Sequence, residues 1–372
     1  MQFKSIRLLN ACDVYQPKTI ATKYFVPDGK YTVYGANGEI GQYDEYNHEE
    51  PEVLMACRGA TCGTINVSKP FSWINGNAMV IHPNGTVPLR KDYLKYYLMS
   101  VSKDSIISGT AQPQITRQNL KDFQIVICDL DDQQKIVSQI EESLSQHDSA
   151  VATLNKTKQQ LEIYRQAVLR EVFTKCDQSV EIKTVCKHVT DGDHMPPPKA
   201  KTGIPFIMIS NIDGNTIDWS DTAFVGKEYY NNIGDKRTPQ KGDVLYTVTG
   251  SFGIPVLIDF EKAFCFQRHI ALLRPNDKIE QEFLYYALQD STVYAQASKR
   301  ATGTAQKTVG LTVLRTIKIP FTESKEKQTK MVSIIKNRLS QCDIVEKTVN
   351  QSLQQAEALR KSILKQEFEG ML

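Results

Sequence analysis

Gly109-Thr110-Ala111-Gln112 recurs 194 residues later as Gly303-Thr304-Ala305-Gln306. Each copy leads through a short apolar strand (Phe123, Ile125, Ile127; Ile317, Ile319, Phe321) into a long helical segment, at about 131–173 and 325–369. The helical segments align as well. Leu144-Ser145-Gln146-His147-Asp148 matches Leu339-Ser340-Gln341-Cys342-Asp343, and Tyr164-Arg165-Gln166-Ala167-Val168-Leu169 matches Leu359-Arg360-Lys361-Ser362-Ile363-Leu364. A period this long lies far outside the roughly 20 to 50 residues of solenoid repeats. It reads as a duplicated domain plus helix, with internal two-fold character.

Working outward, residues 1–128 form one mixed domain with short strands at Val53-Leu54-Met55 and Ala78-Met79-Val80-Ile81. Gly-rich turns stand at 35–38 and 59–63, and a short helix at Lys91–Ser100 gathers Tyr93, Leu94, Tyr97 and Leu98 on one face. Residues 176–322 repeat the order with Val244-Leu245-Tyr246, Gly250-Ser251-Phe252-Gly253, Ile270-Ala271-Leu272-Leu273 and a helix from Phe283 to Leu288. The chain therefore divides into domain 1–128, helix 129–175, domain 176–322 and helix 323–372.

Both helices follow a 3-4 spacing of the coiled-coil kind. The first seam is Val137, Ile140, Leu144, His147, Val151, Leu154, Lys158, Leu161, Arg165, Val168 and Val172. The second is Val332, Ile335, Leu339, Cys342, Glu346, Val349, Leu353, Ala356, Arg360, Ile363 and Glu367. Phase-matched stripes pack on one another; their polar members either set register or lay apolar stems along the seam edge. Glu181–Val185 resembles Ser5–Leu9 at the chain start, so the order is cyclic. A closed cycle makes the helices antiparallel, with a globular body at each end of the rod. The expected fold class is α+β: two mixed domains related by pseudo-two-fold symmetry and separated by a long antiparallel two-helix coiled coil.

Net charge is +3 over 372 residues, and no segment is strongly basic. A nucleic-acid partner is not announced by bulk electrostatics and would rest on local patches. The eight cysteines lack any C-x-x-C spacing, so neither a metal site nor a disulfide framework is expected, and a cytoplasmic, reducing location is. No window is apolar enough for a membrane span, and the first residues are too polar for a signal peptide. Phosphate-loop, dinucleotide-binding, methyltransferase Asn-Pro-Pro-aromatic and nucleophile-elbow motifs are all missing. Duplicated bodies without an active site point to a reader, not a catalyst.

Several stretches carry a family resemblance: Tyr34-Gly35-Ala36-Asn37-Gly38, Cys57-Arg58-Gly59-Ala60, Asn75-Gly76-Asn77-Ala78, both Gly-Thr-Ala-Gln copies, and Asp132-Gln133-Gln134-Lys135-Ile136-Val137. In this order, with two long helices, the chain resembles the specificity subunit of Type I restriction-modification enzymes over essentially its whole length. It departs from the Pro-Pro-Leu lead usual before each helix: Cys128-Asp129-Leu130 stands in the first copy, and only Pro320 survives in Ile319-Pro320-Phe321. The resemblance implies a non-catalytic subunit with two target-recognition domains reading halves of a split double-stranded DNA site. It also implies helices that dock two methyltransferase subunits, which bring S-adenosylmethionine, with motor-nuclease subunits joining for cleavage. The competing reading is a coiled-coil adaptor with two ligand-binding heads.

Base edges are read by Arg at guanine and by Asn or Gln at adenine, best from turns where the backbone approaches closely. In the first body the candidates are Asn37, Arg58, Thr61, Asn77, Gln112, Gln114 and Arg117. In the second they are His194, Asn211, Arg237, Thr249, Ser251, Arg268, His269 and Gln306. Gln112 and Gln306 belong to a motif both bodies share, so they serve either base choice or the common framework and phosphate contact. A helix of about 43 residues spans roughly 65 Å, which makes the pair a ruler for the gap between half-sites.

Overall fold

In the computed structural model, residues 2–109, 112–193, 197–304 and 306–369 are described. Two compact units emerge, Met1–Asn155 with Asn350–Leu372, and Lys156–Val349. Each unit takes half of both long helices.

Along the chain run β1 (Lys4–Arg7), α1 (Leu8–Ala11), β2 (Cys12–Tyr15), β3 (Tyr31–Gly35), β4 (Gly38–Tyr43), β5 (Val53–Ala56), β6 (Ile65–Val67), β7 (Trp73–Ile74) and β8 (Ala78–Pro83). Then come α2 (Lys91–Ser100), β9 (Gln124–Ile127) and the first long helix, α3 (Leu130–Phe173). The second pass opens with β10 (Gln178–Glu181), α4 (Ile182–Val185), β11 (Cys186–Asp191), β12 (Lys199–Ala200), β13 (Ile204–Ile207), β14 (Ile212–Asp213), β15 (Thr216–Ile217) and β16 (Ala223–Val225). It continues through α5 (Lys227–Asn232), β17 (Val244–Thr247), β18 (Pro255–Leu257), β19 (Cys265–Phe266), β20 (Ile270–Pro275), α6 (Gln281–Leu288), α7 (Ser291–Arg300), α8 (Leu311–Arg315) and β21 (Lys318–Phe321) to the second long helix, α9 (Lys325–Glu369).

Each unit is built on the same four-stranded antiparallel sheet, ordered β2-β8-β5-β6 in one and β11-β20-β17-β18 in the other. β5 and β17 are buried at every residue, as central strands covered on both faces must be. A small second sheet holds the parallel pair β3 and β7 in one unit and β13 and β19 in the other. A two-stranded ribbon pairs β1 with β9, and β10 with β21. This pairing corrects the expected alignment of 181–185 with 5–9. Arg7 lies opposite Gln124 and Glu181 opposite Lys318, so Ser179, not Glu181, is the counterpart of Ser5.

The helices are sewn to their units by repeated contacts. Gln133 is fully buried; its amide donates to the carbonyls of Pro88 and Cys128 and accepts from the N–H of Arg90. Gln328 does the same with Lys278, Thr322 and Glu280. In the first unit Val137, Ile140 and Leu144 share a core with Tyr93, Tyr97, Leu364 and Phe368. In the second, Val332, Ile335, Leu339 and Cys342 share one with Val168, Leu169, Val172, Phe173 and Phe283. Each fully buried aromatic or aliphatic side chain of this kind contributes about 1.5–3 kcal/mol.

Within each unit the two helices run antiparallel. In the first, His147 Nε2 lies 2.8 Å from the carbonyl of Ala356 and Arg360 donates to Asp148 at 2.9 Å. In the second, Arg165 donates to Asp343 at 2.6 Å and to Glu346 at 2.8 Å, while Arg338 reaches Glu171. Arg165–Asp343 and Arg360–Asp148 are the same pair of repeat positions, met once in each unit. Of the expected seam, Val137, Ile140, Leu144, Val168, Val332, Ile335, Leu339 and Val349 are buried; Val151, Leu154, Leu161, Leu353 and Ile363 are half-buried. Among the described residues, no helix is long and apolar enough to cross a membrane.

Candidate nucleic-acid interface

The described residues that flank the two Gly-Thr-Ala-Gln copies are joined in the same way. Ser108 and Gln114 exchange two backbone hydrogen bonds, of 2.9 and 2.8 Å, and Thr302 and Thr308 exchange two of 2.9 and 2.7 Å. Gly109 has φ +85° and Gly303 φ +102°, and a Cβ on either would sit within 2.7 Å of the carbonyl oxygen of Gln112 or Gln306. Only glycine turns the chain there.

Each loop is then stitched to the turn that follows the central strand. In the first unit Gly59 N–H donates to Pro113 O and Ile115 N–H to Cys57 O, both at 3.0 Å. In the second, Gly250 N–H donates to Lys307 O at 3.0 Å and Val309 N–H to Val248 O at 2.8 Å. The approach to β8 and β20 joins at the same strand ends: Cys57 N–H bonds Asn77 O, and Val248 N–H bonds His269 O. Three chain segments thus converge in a backbone cradle that both units share.

The side chains on the two cradles differ. In the first unit Arg58, Asn77, Gln112 and Gln114 are exposed upon it, and Arg58 and Gln114 form a backbone bridge. Thr61 lies half-buried in the turn, Arg117 is exposed just beyond Ile115, and Asn37 is exposed in the turn between β3 and β4. In the second unit Thr249 takes the place of Arg58 and is buried, its hydroxyl bonded to that of Thr308. Arg268, Gln306 and Ser251 are exposed and His269 is half-buried. A cleft of about 390 Å³ is lined by Asp191, Thr249, Arg268, His269, Gln306 and Thr308. Arg237 stands 3.9 Å from Asp191. The first unit presents its guanidinium after the central strand, the second before β20.

Asn211 is corrected by its surroundings. It is buried, its carbonyl oxygen accepts from Met208 N–H and its amide donates to Asp221 O, so its polar groups are spent inside the fold. His194 lies outside the described residues. Lys103 is a residue that reading the sequence missed. Its stem packs against the Gly59–Gly63 turn, and burial pulls its ammonium from 10.5 down to about 8. Gln267 was missed too; beside Arg268 and His269, it was open to notice as one polar run.

Beside the helices each unit carries a groove. In the second unit it measures about 900 Å³ and is lined by Tyr285, Tyr286, Arg165, Leu169, Leu339 and Asp343 among others. In the first it measures about 420 Å³, with Lys95, Tyr96, Arg360, Leu364, Leu144 and Asp148. These are the same repeat positions. In Arg165 burial lowers the guanidinium, and the bonds from Asp343 and Glu346 more than offset it, leaving the group raised and charged.

The pattern that defines the Type I restriction modification DNA specificity domain matches residues 2–163 and 178–355. The chain belongs to that family, a non-catalytic class whose work is recognition of a DNA target. Among relatives, it is 24% identical over 342 residues to the Type I restriction enzyme MjaVIII specificity subunit of Methanocaldococcus jannaschii, covering 85% of this chain and 77% of that protein. It is 25% identical over 306 residues to the EcoBI specificity subunit of Escherichia coli, covering 74% of this chain and 64% of that one. A chain solved in a study of complex assembly and conformational transition of the type I restriction-modification system shares the fold, with a TM-score of 0.70 at 18% identity over 100% of this chain and 98% of that chain. Membership assigns no catalytic cofactor to this chain, and implies DNA and other restriction-modification subunits as partners.

Proposed function

We propose that the two units read unlike halves of a bipartite DNA site from their cradles, that the helix pair sets the gap between the halves, and that the two grooves receive two copies of a methyltransferase subunit. The observation that carries this is a shared backbone frame with divergent side chains. Repeated surfaces, the grooves with their Arg–Asp pairs, suit two identical partners. Unlike cradles, Arg58 and Gln114 against Thr249 and Arg268, suit unlike sequences. S-adenosylmethionine belongs to the partners in this reading, and the complex works in the cytoplasm.

Exchanging residues 1–128 for the corresponding domain of a relative tests the modular claim. Methylome sequencing is expected to show one half-site replaced and the other kept. Simultaneous change of both halves defeats it.

Lys103 serves in this reading as a phosphate contact. A phosphate beside it favours the charged form, so the complex takes up a proton over the interval from about pH 8 to 10.5 in which the free group is neutral. Affinity is full below about pH 8 and falls as pH rises above it. Titrations at pH 7.5 and 9.5 are expected to show several-fold weakening that Lys103→Arg removes; equal slopes for both proteins count against the contact.

A further inference from the structure

The second unit holds a cavity of about 280 Å³ that the cradle does not use. Its walls come from the small sheet: Phe206 of β13, Met208 beyond it, and Ala223, Phe224 and Val225 of β16. At its edge stand Gln267, Arg268 and His269, and the last two also line the cleft with Gln306 and Thr249. One strip of chain therefore borders both spaces.

Gln267 is the informative residue. Its backbone is held at both groups, N–H to Ile207 O at 3.0 Å and C=O from Ile270 N–H at 3.1 Å. Its half-buried side-chain amide has no partner among the described residues. Asp193, also at the edge, accepts a 2.8 Å bond from Tyr229, whose hydroxyl is pushed up first by burial and then by that carboxylate, so it stays a donor. The volume lies just under the roughly 300–1,000 Å³ of pockets for drug-sized ligands. It suits one flat ring system with apolar faces and a polar edge, not a peptide.

We propose that this cavity receives a nucleobase unstacked from the half-site held by the second unit, its faces against Phe206, Phe224 and Met208 and its edge read by Gln267. Aromatic and apolar walls replace the stacking a base loses on leaving the duplex, and an amide offers one donor and one acceptor to its edge. The inference rests on the reading that this unit binds DNA at the cleft, whose lining shares Arg268 and His269 with the cavity.

The test uses the full chain assembled with its methyltransferase partners. Its recognised sequence is first selected from random duplexes, and 2-aminopurine is then placed at each position of the half-site assigned to the second unit. Fluorescence is expected to rise several-fold at one position on binding. Ala223→Phe, which fills the cavity, should abolish that rise and weaken binding by about tenfold. Gln267→Leu should keep the rise and relax base preference at that position alone. No rise anywhere, or a rise indifferent to Ala223→Phe, overturns the proposal. If Ala223→Phe does not fold, Gln267→Leu decides, and unchanged preference at the bright position overturns it. Failure to select any sequence would instead defeat DNA reading itself.

Discussion

Removing seven residues from the middle of each long helix, Thr153–Gln159 and Thr348–Gln354, is expected to shorten the unspecified gap in the recognised site by about 3 base pairs. The segments sit at matched repeat positions, between the Arg360–Asp148 contact of one unit and the Arg165–Asp343 contact of the other. Seven residues are nearly two whole turns, so the apolar stripe keeps its phase to within about 20°. About 10 Å of rise is lost, close to three steps of roughly 3.4 Å along B-DNA. Neither cradle is touched, and both half-site sequences should persist. At the original spacing one half-site falls out of reach, and methylation there should drop on the order of a thousandfold, the lower range of specific over non-specific binding. Methylome sequencing reads both effects at once. An active variant with the original gap would show that the helices are scaffold and not ruler.

The duplication was legible because two features survive divergence: a glycine that only glycine can replace, and a helix whose stripe must meet its partner. The turn of Gly109 and Gly303 announced itself in letters, and so did α3 and α9. What escaped notice depends on contacts between distant segments. β1 and β10 are four residues long with alternating faces, so a slip of two leaves Ile182 as apolar a match for Ile6 as Val180 is. Leu364 and Phe368 each follow a seam position, Ile363 and Glu367, by one residue, and they complete a core with Tyr93 and Tyr97, which a heptad pattern cannot say. Asn211 has the letters of a base reader and the hydrogen bonds of a turn. Gln133 and Gln328 were readable. Each stands fourth in its helix, in a first turn otherwise mostly charged, and the matching offset of the two was there to be counted.

Arg274→Met is expected to destabilise the second unit by about 3–5 kcal/mol. Arg274 and Asp243 form a bidentate pair of 2.9 and 2.8 Å between β20 and the residue before β17, with side chains 14% and 3% exposed. The Asp243 bond raises the guanidinium and outweighs burial, which lowers it, so the group stays firmly charged. Arg274 also donates to the carbonyls of Thr238 and Asp235, so it fastens the 235–243 loop to the sheet. Without it, Asp243 keeps the bond from Gln240 N–H, and a buried carboxylate with so little compensation is costly. For a unit of this size the loss corresponds to about 10 °C in Tm. Asp243→Leu with Arg274→Met removes both charges together and should recover most of it, because the cost lies in the orphaned partner and not in the missing attraction. The equivalent positions in the first unit are Glu52 and His82, 2.9 Å apart, so the same join is made there with different chemistry. Hydrogen exchange should therefore show protection lost along β17 and β20 and kept along β5 and β8. A single variant within 1 kcal/mol of the parent, or equal loss in both units, would mean that this join does not carry the sheet on which the second cradle stands.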